Sequence, residues 1–316
     1  MRIFKNFLFK TLLVLILSST TLEAAKRVDF DLRLEPKSEK YFYLLKDSFS
    51  NKEVIVLAGN TYKIVKSQNE LFFDEYYDTI LHSLFKKKAS LRYRRRFIDS
   101  VDKKSLIQFK TQREHDKLQD MNEYKIDVNS DETLISYRDF KEYINKPKNK
   151  NSEFYKQLRS YINTSKLKEI FSVTQYRDRY YLQDNKGKTI FTISFDEVIY
   201  SKDLIKVPYL VVEFEINENV MANLNKINSD ILVNGLNKFV NNLYKENFLF
   251  NRSYDSKYEI GIRKLEIKPK PENVIEIILI FIALFFIIFL FCIPIFSRIK
   301  STSRAKNNEI NLKSLN

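Results

Sequence analysis

"LFFDEYYDTILHSLFKKKASLRYRRRF" runs from Leu71 to Phe97 and sets two candidate strands around a basic connection. The first strand, Leu71–Asp78, carries Tyr76, Tyr77 and Asp78. The second, Ser90–Ile98, carries Arg92, Arg94, Arg95 and Arg96, four arginines within five residues. Residues two apart on a strand point the same way. Arg92, Arg94 and Arg96 therefore share one face, while Arg95 joins Leu91 and Tyr93 on the other. Lys86–Lys88 read as an exposed hairpin ahead of the second strand. A solvated face, a nucleic-acid patch and an inward-facing anion site all fit this segment by itself.

The same period of two extends on both sides. Further candidate strands are Val28–Leu34, Glu53–Leu57, Thr61–Lys66, Ser105–Gln112, Glu123–Val128, Ser172–Asp184, Thr189–Ile199 and Tyr209–Asn217. A polar helical stretch fills about Asp131–Phe171, with Asn145–Ser152 as a loop inside it, and a helix covers about Ala222–Glu246. No long linker or repeat interrupts residues 26–268, so they read as one domain, mostly antiparallel β with two helical insertions.

Composition removes several chemistries. The 316 residues include four glycines, never clustered, so no glycine-rich phosphate loop exists. The one cysteine, Cys292, lies in an apolar run, which excludes disulfides and thiolate zinc sites. His82 and His115 are the only histidines, and neither has metal-ligand spacing. They read as ordinary polar residues rather than general bases, which argues against a serine or cysteine triad. Anion chemistry in this chain rests on carboxylates, lysines and arginines.

The formal net charge is +14. Residues 1–25 carry +2 and residues 297–316 carry +4, leaving about +8 on the body, a balance that favours an anionic ligand or surface. Residues 1–25 have the form of a targeting segment: Arg2, Lys5 and Lys10 precede the apolar run Thr11–Leu17 and the small pair Ala24-Ala25. A cleaved signal peptide is expected, with an uncleaved anchor as the alternative. "VIEIILIFIALFFIIFLFCIPIF" (Val274–Phe296) is 23 residues with one charge, Glu276, long enough to cross a bilayer as a helix. Flanking charges are nearly balanced. The N-terminal signal then places the main domain on the extracytoplasmic side and the basic tail, residues 297–316, in the cytoplasm.

Charge gathers on one face of most strands, with arginine pairs on some and carboxylate pairs on others. Asp29, Asp31 and Arg33 share a face, Lys125 and Asp127 share one, and so do Arg177 and Arg179; Glu213 and Glu215 flank Phe214, and Asp196 sits on the side of Thr192 and Ser194. A sheet with one charged face in water is the ordinary meaning of such alternation. Segregated signs and the need to protect many strand edges argue instead for closure into a barrel. Its charged lumen would suit a polyanion, with carboxylates holding divalent cations that bridge to it. Nucleic acid fits the net charge but not the carboxylate pairs, which repel phosphates unless metal intervenes.

In this order the motifs resemble the CYTH superfamily, the triphosphate tunnel metalloenzymes. "DFDLR" (Asp29–Arg33) stands where the family has Glu-x-Glu-x-Lys, with every charge kept and every residue type changed. "YYDT", "ASLRYRR", "IQFKTQRE" and "YKIDV" follow the next four family strands, then "YRDRYYL", "ISFDEV", "VVEFEI" and the closing "SKY" (Ser256–Tyr258). The order is collinear over about 230 residues.

The resemblance implies an α+β fold: a closed eight-stranded antiparallel β-barrel, a tunnel with flanking helices, here followed by the C-terminal transmembrane helix. It implies Mg²⁺ or Mn²⁺ as cofactor and a triphosphate- or polyphosphate-containing substrate. Arg33, Arg92, Arg94, Lys110, Lys125, Arg177, Arg179 and Lys257 would hold phosphate oxygens, with Arg33, Lys110 and Arg177 as catalytic residues. Asp29, Asp31, Asp196, Glu213 and Glu215 would hold metal, with Asp127 as a further candidate. Hydrolysis would be in-line attack by a metal-positioned water, with arginines neutralising charge. A non-catalytic polyanion-binding module and a polyphosphate polymerase, related to the vacuolar transporter chaperone domains, are the alternatives.

Overall fold

The computed structural model describes residues 27–112, 120–128, 137–247, 249–268, 279 and 281–285. It divides into two units, Met1–Lys268 and Pro269–Asn316. In the second unit residues 279 and 281–285 are helical. The rest of the expected span at 274–296, the N-terminal segment 1–25, the tail 297–316, Cys292 and His115 lie outside the described residues. Among the described residues no helix is long and apolar enough to cross a membrane.

The first unit is built on eleven antiparallel strands: β1 (Arg27–Pro36), β2 (Val54–Leu57), β3 (Asn60–Lys66), β4 (Glu70–Thr79), β5 (Ala89–Ile98), β6 (Val101–Gln112), β7 (Asp120–Val128), β8 (Leu167–Gln183), β9 (Thr189–Lys202), β10 (Ile205–Ile216) and β11 (Phe250–Ser253). Their order is β2-β3-β8-β4-β5-β6-β7-β1-β10-β9, with β11 on β1 and a further pairing of β8 with β9. Residues 172–177 of β8 pair with β4 on one side and β9 on the other.

Eight helices accompany them among the described residues: α1 (Glu39–Ser50), α2 (Ser83–Lys86), α3 (Tyr137–Ile144), α4 (Pro147–Lys150), α5 (Glu153–Tyr161), α6 (Glu218–Ala222), α7 (Lys226–Asn247) and α8 (Lys257–Lys264). Three expectations need correction. Lys86–Lys88 are exposed as expected, but the connection is not a plain hairpin: Ser83–Lys86 form a helical turn, because the buried Asp78 carboxylate accepts the N–H groups of Leu84 and Phe85 at 2.9 and 3.0 Å. The Asn145–Ser152 loop contains α4, started by Pro147 at its first position. The helical stretch ends at Tyr161, and β8 begins at Leu167 rather than Ser172.

Alternation gives the sheet two faces. The apolar face lies under the helices in two clusters. α1 and α7 cover Phe30, Leu32, Ile193 and Phe214 through Phe42, Phe49, Leu236 and Val240. α3 and α5 cover Tyr77, Leu91, Tyr93 and Phe109 through Phe140, Phe154 and Leu158. A third cluster joins Tyr76, Phe171, Tyr200 and Tyr209 to Tyr258, Ile260 and Ile262 of α8. The other face carries the charges.

Candidate functional site

The charged face is not solvated. Asp74, Asp196, Glu70 and Glu213 are all buried, as are Asp31, Arg33, Arg177, Glu123 and Lys257. A buried charge survives only if paired and hydrogen-bonded; here Asp31 pairs with Arg33 on its own strand, and the others take partners from a different element.

The innermost group joins β1, β8, β9, β10 and α8. Register sets Asp31 opposite Glu215 and Arg33 opposite Glu213. Arg33 donates through Nε to Glu213 Oε1 at 2.9 Å and through Nη1 to the Asp255 carbonyl at 2.8 Å, and Nη2 pairs with Asp31. Arg177 grips Asp196 with Nε and Nη2, each at 2.6 Å, and Nη2 also reaches Glu213. Its Nη1 is 4.0 Å from Glu215. Lys257 arrives at the first turn of α8, which Ser256 and Glu259 close with a capping box. Its Nζ lies 2.8 Å from Asp196, 3.1 Å from Glu213 and 3.0 Å from Gln175 Oε1.

A second group lies on β4, β5, β6 and β7. Asp74 accepts two bonds of 2.6 Å from Arg94 and one of 3.1 Å from Arg92. Arg92 also donates to Gln108 and, at 3.2 Å, to the Tyr76 hydroxyl. Glu123 holds Lys110 at 3.4 Å and pairs with Lys125. Near the rim, Lys104 meets Asp127 at 2.9 Å, each about half exposed.

The titration of these groups follows from burial and pairing. Burial alone would push the Asp74 carboxyl up, but Arg94 and Arg92 outweigh it and hold it below the usual range. Glu213 is held well below that range against its own burial by Lys257, Arg177 and Arg33. Burial draws the Lys257 ammonium down, and the attraction of Asp196 and Glu213 only partly offsets this. Arg177 is held well above its ordinary value, since Asp196 and Glu213 overcome its desolvation.

A profile for the CYTH domain matches residues 40–233. The chain belongs to the CYTH domain family. The matched range leaves out β1 and α8, so Asp31, Arg33 and Lys257 enter the CYTH site through geometry alone. No curated protein matches the chain. Among solved structures, the PH1819 protein of Pyrococcus horikoshii OT3 is 16% identical with a TM-score of 0.46, covering 75% of this chain and 99% of its own. A putative adenylyl cyclase from Hippeastrum, described as having a dominant triphosphatase activity, is 13% identical with a TM-score of 0.47, covering 74% of this chain and 95% of its own. The Pct1 RNA triphosphatase of S. pombe is 10% identical with a TM-score of 0.35, covering 69% and 83%.

The CYTH domain brings together Asp31, Arg33, Arg177, Asp196, Glu213 and Lys257 in one network, with Arg92, Arg94, Lys110 and Lys125 on β5, β6 and β7. Arg179 pairs with Glu70 instead, at 3.1 Å. Glu215 is in part exposed. The side chain of Asp29 lies outside the described residues, although its backbone pairs with Met121. Glu70, Asp74, Gln108, Glu123 and Gln175 escaped the sequence reading. Their signal was present: Glu70, Phe72, Asp74 and Tyr76 alternate along β4, and β5 sets Arg96, Arg94 and Arg92 beside them.

The donors fit a hard divalent cation in chemistry, because Asp31, Glu213 and Glu215 offer carboxylate oxygens from adjacent strands. A cation there takes Asp31 and Glu213 from Arg33. Among the described residues no three carboxylates are placed to hold a metal ion, since guanidinium groups stand between them.

Proposed function

We propose that this CYTH protein is a membrane-anchored, divalent-metal-dependent phosphohydrolase acting on inorganic triphosphate, polyphosphate or another triphosphate-containing substrate. The observation that carries the reading is the buried charged face, where Arg92, Arg94, Lys110, Lys125, Arg177 and Lys257 converge from several elements. The pairings support a closed tunnel: each of β4, β5, β6, β7, β1, β10, β9 and β8 pairs with two others of this set, and β8 returns to β4.

A phosphate chain entering this face replaces the carboxylates as the partner of the arginines. Guanidinium forks bind phosphate oxygens as they bind carboxylates, two bonds at a time. Arg92 and Arg94 hold one side of the chain and Arg177 the other, while Lys110 and Lys257 supply point charges. Mg²⁺ or Mn²⁺ would need Asp31 and Glu213 released from Arg33 and Arg177; held there with Glu215, it would polarise a phosphoryl oxygen and acidify a bound water. The apolar run at 274–296 anchors the domain outside the cytoplasm, with the basic tail inside.

The decisive measurement is phosphate release from tripolyphosphate with and without Mg²⁺ or Mn²⁺. Activity vanishes on chelation and returns with metal. Glu213→Gln and Arg177→Ala each lower turnover by about 100-fold or more, with folding verified by circular dichroism. Full activity in both folded variants sinks the proposal. One observation favours a second reading, a non-catalytic polyanion-binding module: Arg33 spends its donors on Asp31, Glu213 and the Asp255 carbonyl. Tight tripolyphosphate binding without turnover under either metal selects that reading.

A further inference from the structure

Glu70 opens β4 and is buried, and two arginines from different strands converge on it. Arg179 of β8 donates from Nη1 to Glu70 Oε1 at 3.2 Å and brings Nη2 to 3.1 Å from Oε2. Arg96 of β5 pairs with Oε1. The Nε–H groups of both arginines are buried and have no acceptor among the described residues, and Glu70 Oε2 accepts no hydrogen bond despite its ion pair. A buried donor without an acceptor retains its full desolvation cost. Two such donors on converging guanidinium groups leave room for a further acceptor, water or anion. One carboxylate against two guanidinium groups leaves a positive charge in excess, which favours an anion over water there.

The position of the pair says which anion. Side-chain exposure rises from 5% at Arg177 to 17% at Arg179 and 32% at Arg96, so the pair lies outward of the inner group. One buried ring, Phe72, connects the two levels. Its centroid is 4.4 Å from the Arg94 guanidinium carbon, 5.6 Å from that of Arg177 and 6.0 Å from that of Arg96. An anion held on Arg94 and Arg177 and lengthened outward therefore meets Arg96 and Arg179 next. A compact anion that ends on the inner arginines does not reach them.

We propose that Arg96, Arg179 and Glu70 form an outer anion subsite for linear polyphosphate, receiving the phosphate groups that extend past those held by Arg92, Arg94 and Arg177. The subsite makes the protein selective for chain length, and Glu70 is the internal partner that the incoming phosphate displaces. This rests on the inner face being a phosphate site.

Calorimetric titration of the full chain in detergent, with tripolyphosphate and with linear polyphosphate of longer defined length, tests both levels. The longer chain binds more tightly to the wild-type protein. Arg96→Gln weakens the longer chain by about tenfold, the worth of one charge-assisted bond, and leaves tripolyphosphate unchanged. Glu70→Gln, which removes the competing carboxylate, strengthens binding of the longer chain. Equal affinity for the two anions in wild type and in Arg96→Gln, with tripolyphosphate bound, overturns the outer subsite alone. Failure of both anions to bind removes the inner reading and this one with it.

Discussion

Asp74 shows how much a single side chain carries. It is buried, and Arg92 and Arg94 occupy both of its oxygens. Its folded-state carboxyl is held below the ordinary range. A depressed carboxylate contributes stability that is fully present above its unfolded value, about 4, and that is lost as the pH falls through the folded value. The thermal midpoint of the wild-type protein therefore declines below about pH 4. Asp74→Asn leaves two guanidinium groups facing an amide, and breaking a buried pair in this way costs about 3–5 kcal/mol at pH 7. Its midpoint also falls less steeply on acidification. Calorimetry at pH 7 and pH 3 checks both, and equal acid slopes would refute the assignment. At this scale the sequence disclosed the cations of the site better than their partners. Arg92 and Arg94 stand out in a run of arginines, whereas Asp74 is one acidic residue between Phe73 and Glu75.

Among the elements, strands were legible and short helices were not. Period-two alternation marks β4, β5, β9 and β10 to within a few residues. The turn between β8 and β9 is equally readable, since Asp184 accepts the N–H groups of Lys186 and Lys188 and Gly187 takes a φ of 78°. α8 gave no helical period because it is buried on several sides: Tyr258, Ile260 and Ile262 alternate as they would on a strand. Yet α8 delivers Lys257. Its approach depends on Gly261, where an added Cβ would meet Phe171 Cζ at 2.3 Å and Tyr200 Cδ1 at 3.0 Å. The Phe171 ring cannot retreat, being stacked on Tyr76 and Tyr258 at 4.9 and 5.7 Å. Gly261→Ala accordingly costs about 1–3 kcal/mol, read as a lower thermal midpoint, together with weaker tripolyphosphate binding as Lys257 shifts. An unchanged midpoint would mean that α8 sits elsewhere.

For the whole molecule, membrane attachment is the property that the apolar run at 274–296 predicts. The full chain stays with membranes through alkaline carbonate extraction, and a chain ending at Lys268 with a cleaved leader is released; retention of the shortened chain would place the anchor elsewhere. The sequence by itself determined ten of the eleven strands, which face of each is charged and which ionic groups are available, because side-chain alternation is a local property of extended backbone; the four-residue β11 is too short to show it. Only the tertiary structure decided that the charged face is buried and which carboxylate each cation takes. Arg33 and Glu213 are 180 residues apart and Lys257 and Asp196 are 61 apart. Cross-strand register and the docking of α8 bring them together, and neither is encoded in any one segment.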